Sequence, residues 1–310
     1  MYITSTGKIR NNLYMLGHSG YPMFLVDAPK PALFEAGACF TGKMYVEDIN
    51  STLPGRPPSF LFLTHAHWDH CGAVAHLKEA FPTLQVAASS MAADILRRPN
   101  ALALIRKLND DARTYMDSFP GIDTSLFIDE TFQPFEVDIE LEDSSVIDLG
   151  NGTTVEILAT PGHTRDHHSF YLPREKVMIA GEAAGLLLNT GEVTTEFLFD
   201  YDAYLLSLQK LAQLPIEVFC QGHNLVIIGE EKIKTFLERS IQETIDFKDR
   251  ALELLDEEDG SVEQVIQRVK AERYDPIQGL KQPVVPYMIN LTAKINHLAA
   301  RKNQPSGAVT

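Results

Sequence analysis

Short apolar runs with polar breaks fill the first two thirds of this 310-residue chain, and long helical stripes fill the last third. The runs at 13–16, 23–26 and 32–34 are separated by Gly17, Gly20, Pro29 and Pro31, which predicts an antiparallel meander of three strands. Tyr45, Ile49 and Leu53 then share one face of a helix that Pro54 and Gly55 end. Phe60, Leu61, Phe62 and Leu63 read as a buried strand, residues 71–77 as a short helix and 84–88 as the next strand, together a β-α-β unit. Between 101 and 119 the apolar positions recur at helical spacing, so an amphipathic helix is expected there, closed by Pro120 and Gly121. Strands resume at 155–158, 169–172, 177–180 and 217–220. Before the last of these, Asp202 is a candidate cap for a helix built on Tyr204, Leu205, Leu208, Leu211 and Ala212. Past residue 230 three stripes predict three helices. They are Ile233, Leu237, Ile241, Ile245, Leu252 and Leu255; then Val262, Val265 and Val269; then Val284, Met288, Leu291, Ile295 and Leu298. The tail over 304–310 reads as a frayed end.

Chemistry enters directly after the strand at 60–63. The stretch Thr64-His65-Ala66-His67-Trp68-Asp69-His70 places four potential metal ligands within six residues. His65 and His67 are two apart, so an extended or turn backbone can point both imidazoles to one side. Such a loop can offer two nitrogens to one cation and a carboxylate with a nitrogen to a second. Neutral imidazole and carboxylate suit zinc, iron or manganese, and the lack of thiolates argues against a structural cysteine site. Three more candidates end apolar runs: His163 after Gly162, Glu182 after Gly181, and His223 after Gly222. A glycine beside each lets the backbone turn sharply. Two cations sharing a water would lower its pKa and stabilise the oxyanion formed at a carbonyl or phosphorus. Asp69 can orient that nucleophile and pass its proton to the leaving group.

The ordered set His65-Ala66-His67-Trp68-Asp69-His70, His163, Glu182 and His223 resembles the metallo-β-lactamase fold superfamily of metallohydrolases, with the pattern covering residues 10–230. The resemblance implies a mixed α/β (α+β) fold, an αββα sandwich with metals at one edge between two sheets. It implies two divalent metal ions, zinc ahead of iron or manganese. His65, His67 and His163 would hold the first, and Asp69, His70 and His223 the second. Glu182 would bridge them where the family normally has aspartate, and its extra methylene is this chain's departure from the pattern. Asp69-His70-Cys71-Gly72, the Asp166-His167 pair and Phe199-Asp200-Tyr201-Asp202-Ala203-Tyr204-Leu205 are similar to the quinolone-signal response thioesterase branch. That similarity implies a catalytic domain over 1–230, a C-terminal helical cap over 231–310 and a small acyl ester or thioester substrate.

Composition narrows the field. A net charge of -15 repels phosphate backbones, so no nucleic-acid partner is expected. Met1-Tyr2-Ile3-Thr4 opens no apolar signal core and no run reaches membrane length, so no membrane partner is expected. Cys39, Cys71 and Cys220 are scattered and odd in number, which fits reduced thiols and a cytoplasmic location. Residues 121–148 carry nine acids and no Lys or Arg, and read as a solvated acidic face with an edge strand or two. The helix over 101–119 can serve a core or a homodimer. His167 is expected to support the site rather than ligate. His168 and His76 are read as structural or surface, His18 and His297 as surface, Cys71 and Cys220 as core near the site, and Tyr201 as packing. The competing readings are a lactonase or phosphodiesterase of the same fold, or a regulatory binding protein that keeps the metal site. A diiron oxidoreductase ranks below them, because flavodiiron proteins usually have glutamate where His67 stands and add a flavodoxin-like domain.

Overall fold

Both faces of the central strands are buried, so successive side chains feed different cores and the chain stacks in layers. The computed structural model describes residues 1–116, 124–278 and 281–302. The first half contains β1 (Tyr2–Ile3), β2 (Gly7–Arg10), β3 (Leu13–His18), β4 (Tyr21–Val26), β5 (Ala32–Phe34), α1 (Gly42–Thr52) and β6 (Phe60–Phe62). After β6 come α2 (Trp68–Cys71), α3 (Val74–Ala80), β7 (Gln85–Ser89), α4 (Ser90–Ile95), α5 (Pro99–Met116) and β8 (Ile139–Leu141). The next strands are β9 (Val146–Gly150), β10 (Thr153–Ala159), β11 (His168–Leu172), β12 (Val177–Gly181), β13 (Leu186–Leu187) and β14 (Val193–Thr194). The chain ends in α6 (Tyr201–Ala212), β15 (Val218–Gln221), β16 (Val226–Ile228), α7 (Glu230–Glu257), α8 (Val262–Arg273) and α9 (Val284–Lys302).

Two seven-stranded sheets result, ordered β2-β3-β4-β5-β6-β7-β8 and β1-β16-β15-β12-β11-β10-β9, beside a β13-β14 ribbon. Met15, Phe24 and Phe62 from the first sheet meet Ile157, Phe170, Ile179 and Cys220 from the second in the central core. Their strand neighbours Leu16, Met23 and Leu61 point the other way, against Tyr45 and Ile49 of α1, Leu77 of α3 and Ile105 of α5. On the far side Tyr171, Met178 and Phe219 lie under Leu208 and Leu211 of α6 and Ile233, Phe236 and Leu237 of α7. The layers are therefore αββα, as the sequence implied. A fourth core joins Phe197, Tyr201 and Tyr204 to Phe247 and Leu254 of α7, Val265 of α8 and Leu291, Ile295 and Leu298 of α9.

Strand direction decides where the polar loops fall. β10 and β12 are both antiparallel to β11, and β15 runs parallel to β12, so all three end at one edge of their sheet. The meander β3-β4-β5 is antiparallel, and β6 and β7 continue it in parallel, giving the expected β-α-β unit. β8 and β9, the two strands of the acidic stretch, are the outer strands of their sheets.

Four local expectations change. The single helix at 71–77 is two, α2 and α3. The chain breaks at Gly72, where a Cβ would stand 2.5 Å from the Cys39 nitrogen. Asp200, not Asp202, caps α6: its backbone is extended and its side chain accepts from Ala203 N–H at 2.8 Å, while Asp202 lies in the first turn and pairs with Arg301. In the middle of α7 the fully buried positions are Ser240, Thr244 and Phe247, while Ile241, which still packs on the core, and Ile245 are half-buried. The two hydroxyls allow the helix to approach polar groups: Ser240 donates to the Ala184 carbonyl, and Thr244 Oγ1, which donates to the Ser240 carbonyl, lies 2.8 Å from the Thr195 hydroxyl. Val284, placed on the apolar stripe of α9, is exposed. The expected helix stop at Pro120 and Gly121 and the tail over 304–310 lie outside the described residues. No helix among the described residues is long and apolar enough to cross a membrane.

Three rings fasten the sheets together beneath the loops that carry the site. Phe34 and Phe62 stack at 5.0 Å, and Phe170 from the opposite sheet lies 5.6 and 5.3 Å from them. Phe170→Ala should therefore destabilise the protein by about 3–5 kcal/mol in urea unfolding. A loss below about 1 kcal/mol would mean that this cluster does not hold the sheets.

Candidate metal centre

Each candidate ligand follows a strand end. His65, His67, Asp69 and His70 come after β6, His163 after β10, Glu182 after β12 and His223 after β15. Gly181 and Gln221 are partners across β12 and β15, so Glu182 and His223 leave the sheet side by side. Gly162 is required for a different reason. With φ 131 and a Cβ position 2.2 Å from the Tyr204 Cα, only glycine lets α6 dock on this loop. The Gly162 carbonyl then accepts the N–H groups of Phe199 and Asp200, both at 3.1 Å, which brings the start of α6 against the turn.

Two donor sets form. One atom each from His65, His67, His163 and Glu182 lies within 4.8 Å of the others, and the same holds for Asp69, His70 and His223. Glu182 reaches both sets. Its Oε2 is 2.8 Å from His163 Nε2 and 3.4 Å from both His65 Nε2 and His70 Nε2. Its Oε1 is 3.7 Å from His223 Nε2, which in turn lies 3.6 Å from Asp69 Oδ2. His67 Nδ1 faces His163 Nε2 at 3.2 Å. All seven residues named from the sequence are thus brought to one place. His65, His70, His163 and Glu182 are buried, whereas His67, Asp69 and His223 are partly exposed and form the open side.

Oxygen stands behind four of the five imidazoles. His163 Nδ1–H donates to the Glu196 carbonyl at 2.6 Å and His223 Nδ1–H to the Gly20 carbonyl at 2.8 Å. A carbonyl can only accept, so the Nε2 lone pair of each ring faces the cluster. Thr64 Oγ1 gives its proton to Glu35 Oε1 at 2.6 Å and therefore accepts from His65 Nδ1–H at 2.9 Å. The same Glu35 oxygen lies 3.2 Å from His70 Nδ1, off the straight hydrogen-bond direction. One buried carboxylate thus backs a histidine in each set. Asp166 Oδ2 accepts from Ala66 N–H at 2.8 Å, and its carbonyl accepts from Ser89 Oγ at 2.9 Å, pinning the His65–His67 turn to the β10–β11 loop.

His167 lies outside both donor sets. Its Nε2 accepts from Glu182 N–H at 3.2 Å and its Nδ1 contacts Thr160 Oγ1 at 2.9 Å, and burial holds its pKa well below normal. His297, expected on the surface, is half-buried, and its Nε2 accepts from Tyr201 N–H at 3.0 Å at the start of α6. His18 is also half-buried, its Nδ1 accepting from Gly20 N–H at 3.0 Å. His168 and Tyr201 are buried, and Cys71 and Cys220 are buried thiols whose pKa values burial raises. Sequence reasoning missed Glu35, Glu196 and Tyr21, whose ring stands edge-on to Trp68 at 5.9 Å and to His223 at 6.4 Å. Glu35 carries the signal used for the others, an acid at the end of an apolar strand with a glycine close behind.

The charges fit cations. His65 Nε2 and His70 Nε2 are buried and lack hydrogen-bond partners. Burial would raise the pKa of Glu182, but His163, His65 and His70 hold it well below the usual carboxylate range. Burial opposes charge on His70, yet Glu35 and Glu182 outweigh it and raise its pKa. His65 and His67 go the other way: burial and neighbouring imidazoles lower both, His67 to about 4. Carboxylates here call for positive charge that the crowded imidazoles cannot all carry, and a divalent cation meets that demand.

Residues 49–223 match the family model described as metallo-beta-lactamase superfamily, and the chain belongs to that superfamily. It is 26% identical over 234 residues to a beta-lactamase-like protein 2 homolog of Caenorhabditis elegans, covering 74% of this chain and 62% of that protein. It is 27% identical over 242 residues to an atrochrysone carboxyl ACP thioesterase of Aspergillus fumigatus, covering 77% of this chain and 56% of the relative. The matches thus span 62% and 56% of these relatives' lengths. Among solved structures, an archaeal metallo-beta-lactamase superfamily protein from Sulfolobus tokodaii superposes with TM-score 0.60 at 18% identity, over 95% of this chain and 100% of the other.

Glu35→Gln removes a charge from behind His65 and His70. It should weaken metal binding by about 10–100-fold in competition with a chromophoric chelator. Unchanged affinity would mean that the rings keep their orientation without it.

Proposed function

We propose that this chain is a hydrolase that holds two divalent metal ions, zinc ahead of iron or manganese, and cleaves a small acyl thioester or ester. The observation that carries the reading is the reach of Glu182, whose two oxygens face histidines of both donor sets. His65, His67 and His163 would hold one ion, Asp69, His70 and His223 the other, with Glu182 between them. When bound, such ions supply a water acidified toward neutral pH and a Lewis-acidic place for a carbonyl oxygen.

The protein's own groups would do the rest. Asp69 lies on the open side, where its carboxylate can accept a hydrogen bond from the attacking water, orient it and carry the proton to the leaving group. His67 and His223 share that open side, so substrate approaches there, past Trp68 and Tyr21. Acyl chemistry is preferred over nucleic-acid phosphodiesters for two reasons. A relative is named as a thioesterase, and a chain of net charge -15 repels polyanions. The described free cysteines are all buried thiols, which fits a reducing, cytoplasmic setting.

Elemental analysis of the purified protein, paired with a panel of thioesters, lactones and phosphodiesters, tests this. About two metals per chain and turnover of one acyl class are expected. His163→Ala should remove metal and turnover together, and Asp69→Asn should cut turnover by about 100-fold or more. Full turnover by demetallated protein would sink the mechanism. A metal-free chain inert on every class, with a function that survives Asp69→Asn, would favour regulatory binding instead.

A further inference from the structure

The segment behind His163 is held from three helices. Residues 195–197, between β14 and α6, belong to no strand or helix, so no ladder fixes their backbone. Thr195 Oγ1 meets Thr244 Oγ1 of α7 at 2.8 Å, and Glu196 N–H donates to Tyr204 Oη of α6 at 3.2 Å. The third anchor comes from α9. Lys294 is 7% exposed on the apolar face that Leu291, Ile295 and Leu298 bury. Its Nζ donates to the Thr195 carbonyl at 2.7 Å and lies 3.8 Å from Glu196 Oε2, with the Phe247 ring centre 5.2 Å away.

An ammonium buried in an apolar stripe is costly unless its partners are fixed. Here the partners are the two residues behind His163, and the Glu196 carbonyl takes the His163 Nδ1 proton at 2.6 Å. Without Lys294, the Thr195 carbonyl loses its donor and the Glu196 carboxylate is left buried without this cation. The least expensive relief is a shift of the segment toward water, which withdraws the Glu196 carbonyl from the imidazole.

We propose that Lys294 is a positioning residue for His163, which makes α9 part of the metal centre and not only a cover over it. The inference rests on the reading of His163 as a metal ligand. Metal-ligating histidines depend on the acceptor behind them, and loss of that acceptor weakens binding by about 10–100-fold.

The test loads the full chain with zinc and titrates it with a competing chelator. Lys294→Met should lose about tenfold or more in affinity for one of the two ions while the other is held as before. A folded Lys294→Met that holds both ions like the wild type overturns the proposal, as does an equal weakening of both. The wild type supplies a second measurement that needs no variant. Coupling is reciprocal, so zinc loading should slow amide exchange along residues 291–298 of α9. Identical exchange with and without zinc overturns the proposal even if the methionine variant fails to fold. A wild type that binds no zinc removes the metal reading itself, which differs from a wild type and a variant that each bind two.

Discussion

Glu182 is a buried carboxylate whose oxygens lie within 3.7 Å of four imidazoles, and the rest of the site follows from the need to balance it. A desolvated carboxylate costs several kcal/mol unless charge and hydrogen bonds compensate. Protonating the imidazoles compensates only in part, because each new charge repels the next: His70 and His163 are pushed up while His65 and His67 are pushed down. Cations held between the rings remove that conflict, since they let all four imidazoles stay neutral and present lone pairs. Metal binding to such a site also stabilises the fold, because the unfolded chain holds no preformed cluster.

Holding the rings in place is the task of oxygens set further back, and nearly all of them come from distant parts of the chain. Glu35 follows β5, Gly20 precedes β4, Glu196 precedes α6, and Asp166 crosses from the β10–β11 loop to Ala66. The Phe34, Phe62 and Phe170 cluster lies under the same loops. Sheet packing and ring orientation are therefore coupled. A one-residue slip of β6 against β5 would turn Phe62 out of the core between the sheets and carry Thr64 away from Glu35.

The candidate ligands were legible in sequence because their signal is local. His65 to His70 lie in one loop, and His163, Glu182 and His223 each follow an apolar run and a glycine. The strands were legible because 13–16, 60–63 and 177–180 are continuous apolar runs between polar breaks, the pattern of strands buried on both faces, while the αββα layering was implied by the family resemblance. What escaped depends on tertiary approach. Lys294 sits in an apolar helical stripe, and its partners Thr195 and Glu196 are about a hundred residues away. Ser240 and Thr244 are buried on α7 because the polar groups under it need small hydroxyl partners, the Ala184 carbonyl for Ser240 and the Thr195 hydroxyl for Thr244, a demand that no count of hydrophobic residues reveals. Asp200 and Asp202 are equally plausible caps by composition, and only the extended backbone at 200 selects between them.

Within each donor set, some residues are buried and others partly exposed. His65 and His163 are sealed by the two sheets and α6, and their outer nitrogens are spent on Thr64 and on the Glu196 carbonyl. Asp69 and His223 face water, with Tyr21 and Trp68 beside them. Rigid donors favour retention of an ion, since little ordering entropy remains to be lost when it binds. Accessible donors favour exchange of water and approach of substrate. On the proposed reading, buried His65, His70, His163 and Glu182 would retain the ions, while partly exposed His67, Asp69 and His223 face the side where water and substrate would exchange. The partly exposed carboxylate is Asp69, on the short α2 that follows His67, and the proposed reading needs a proton-carrying group on that open side.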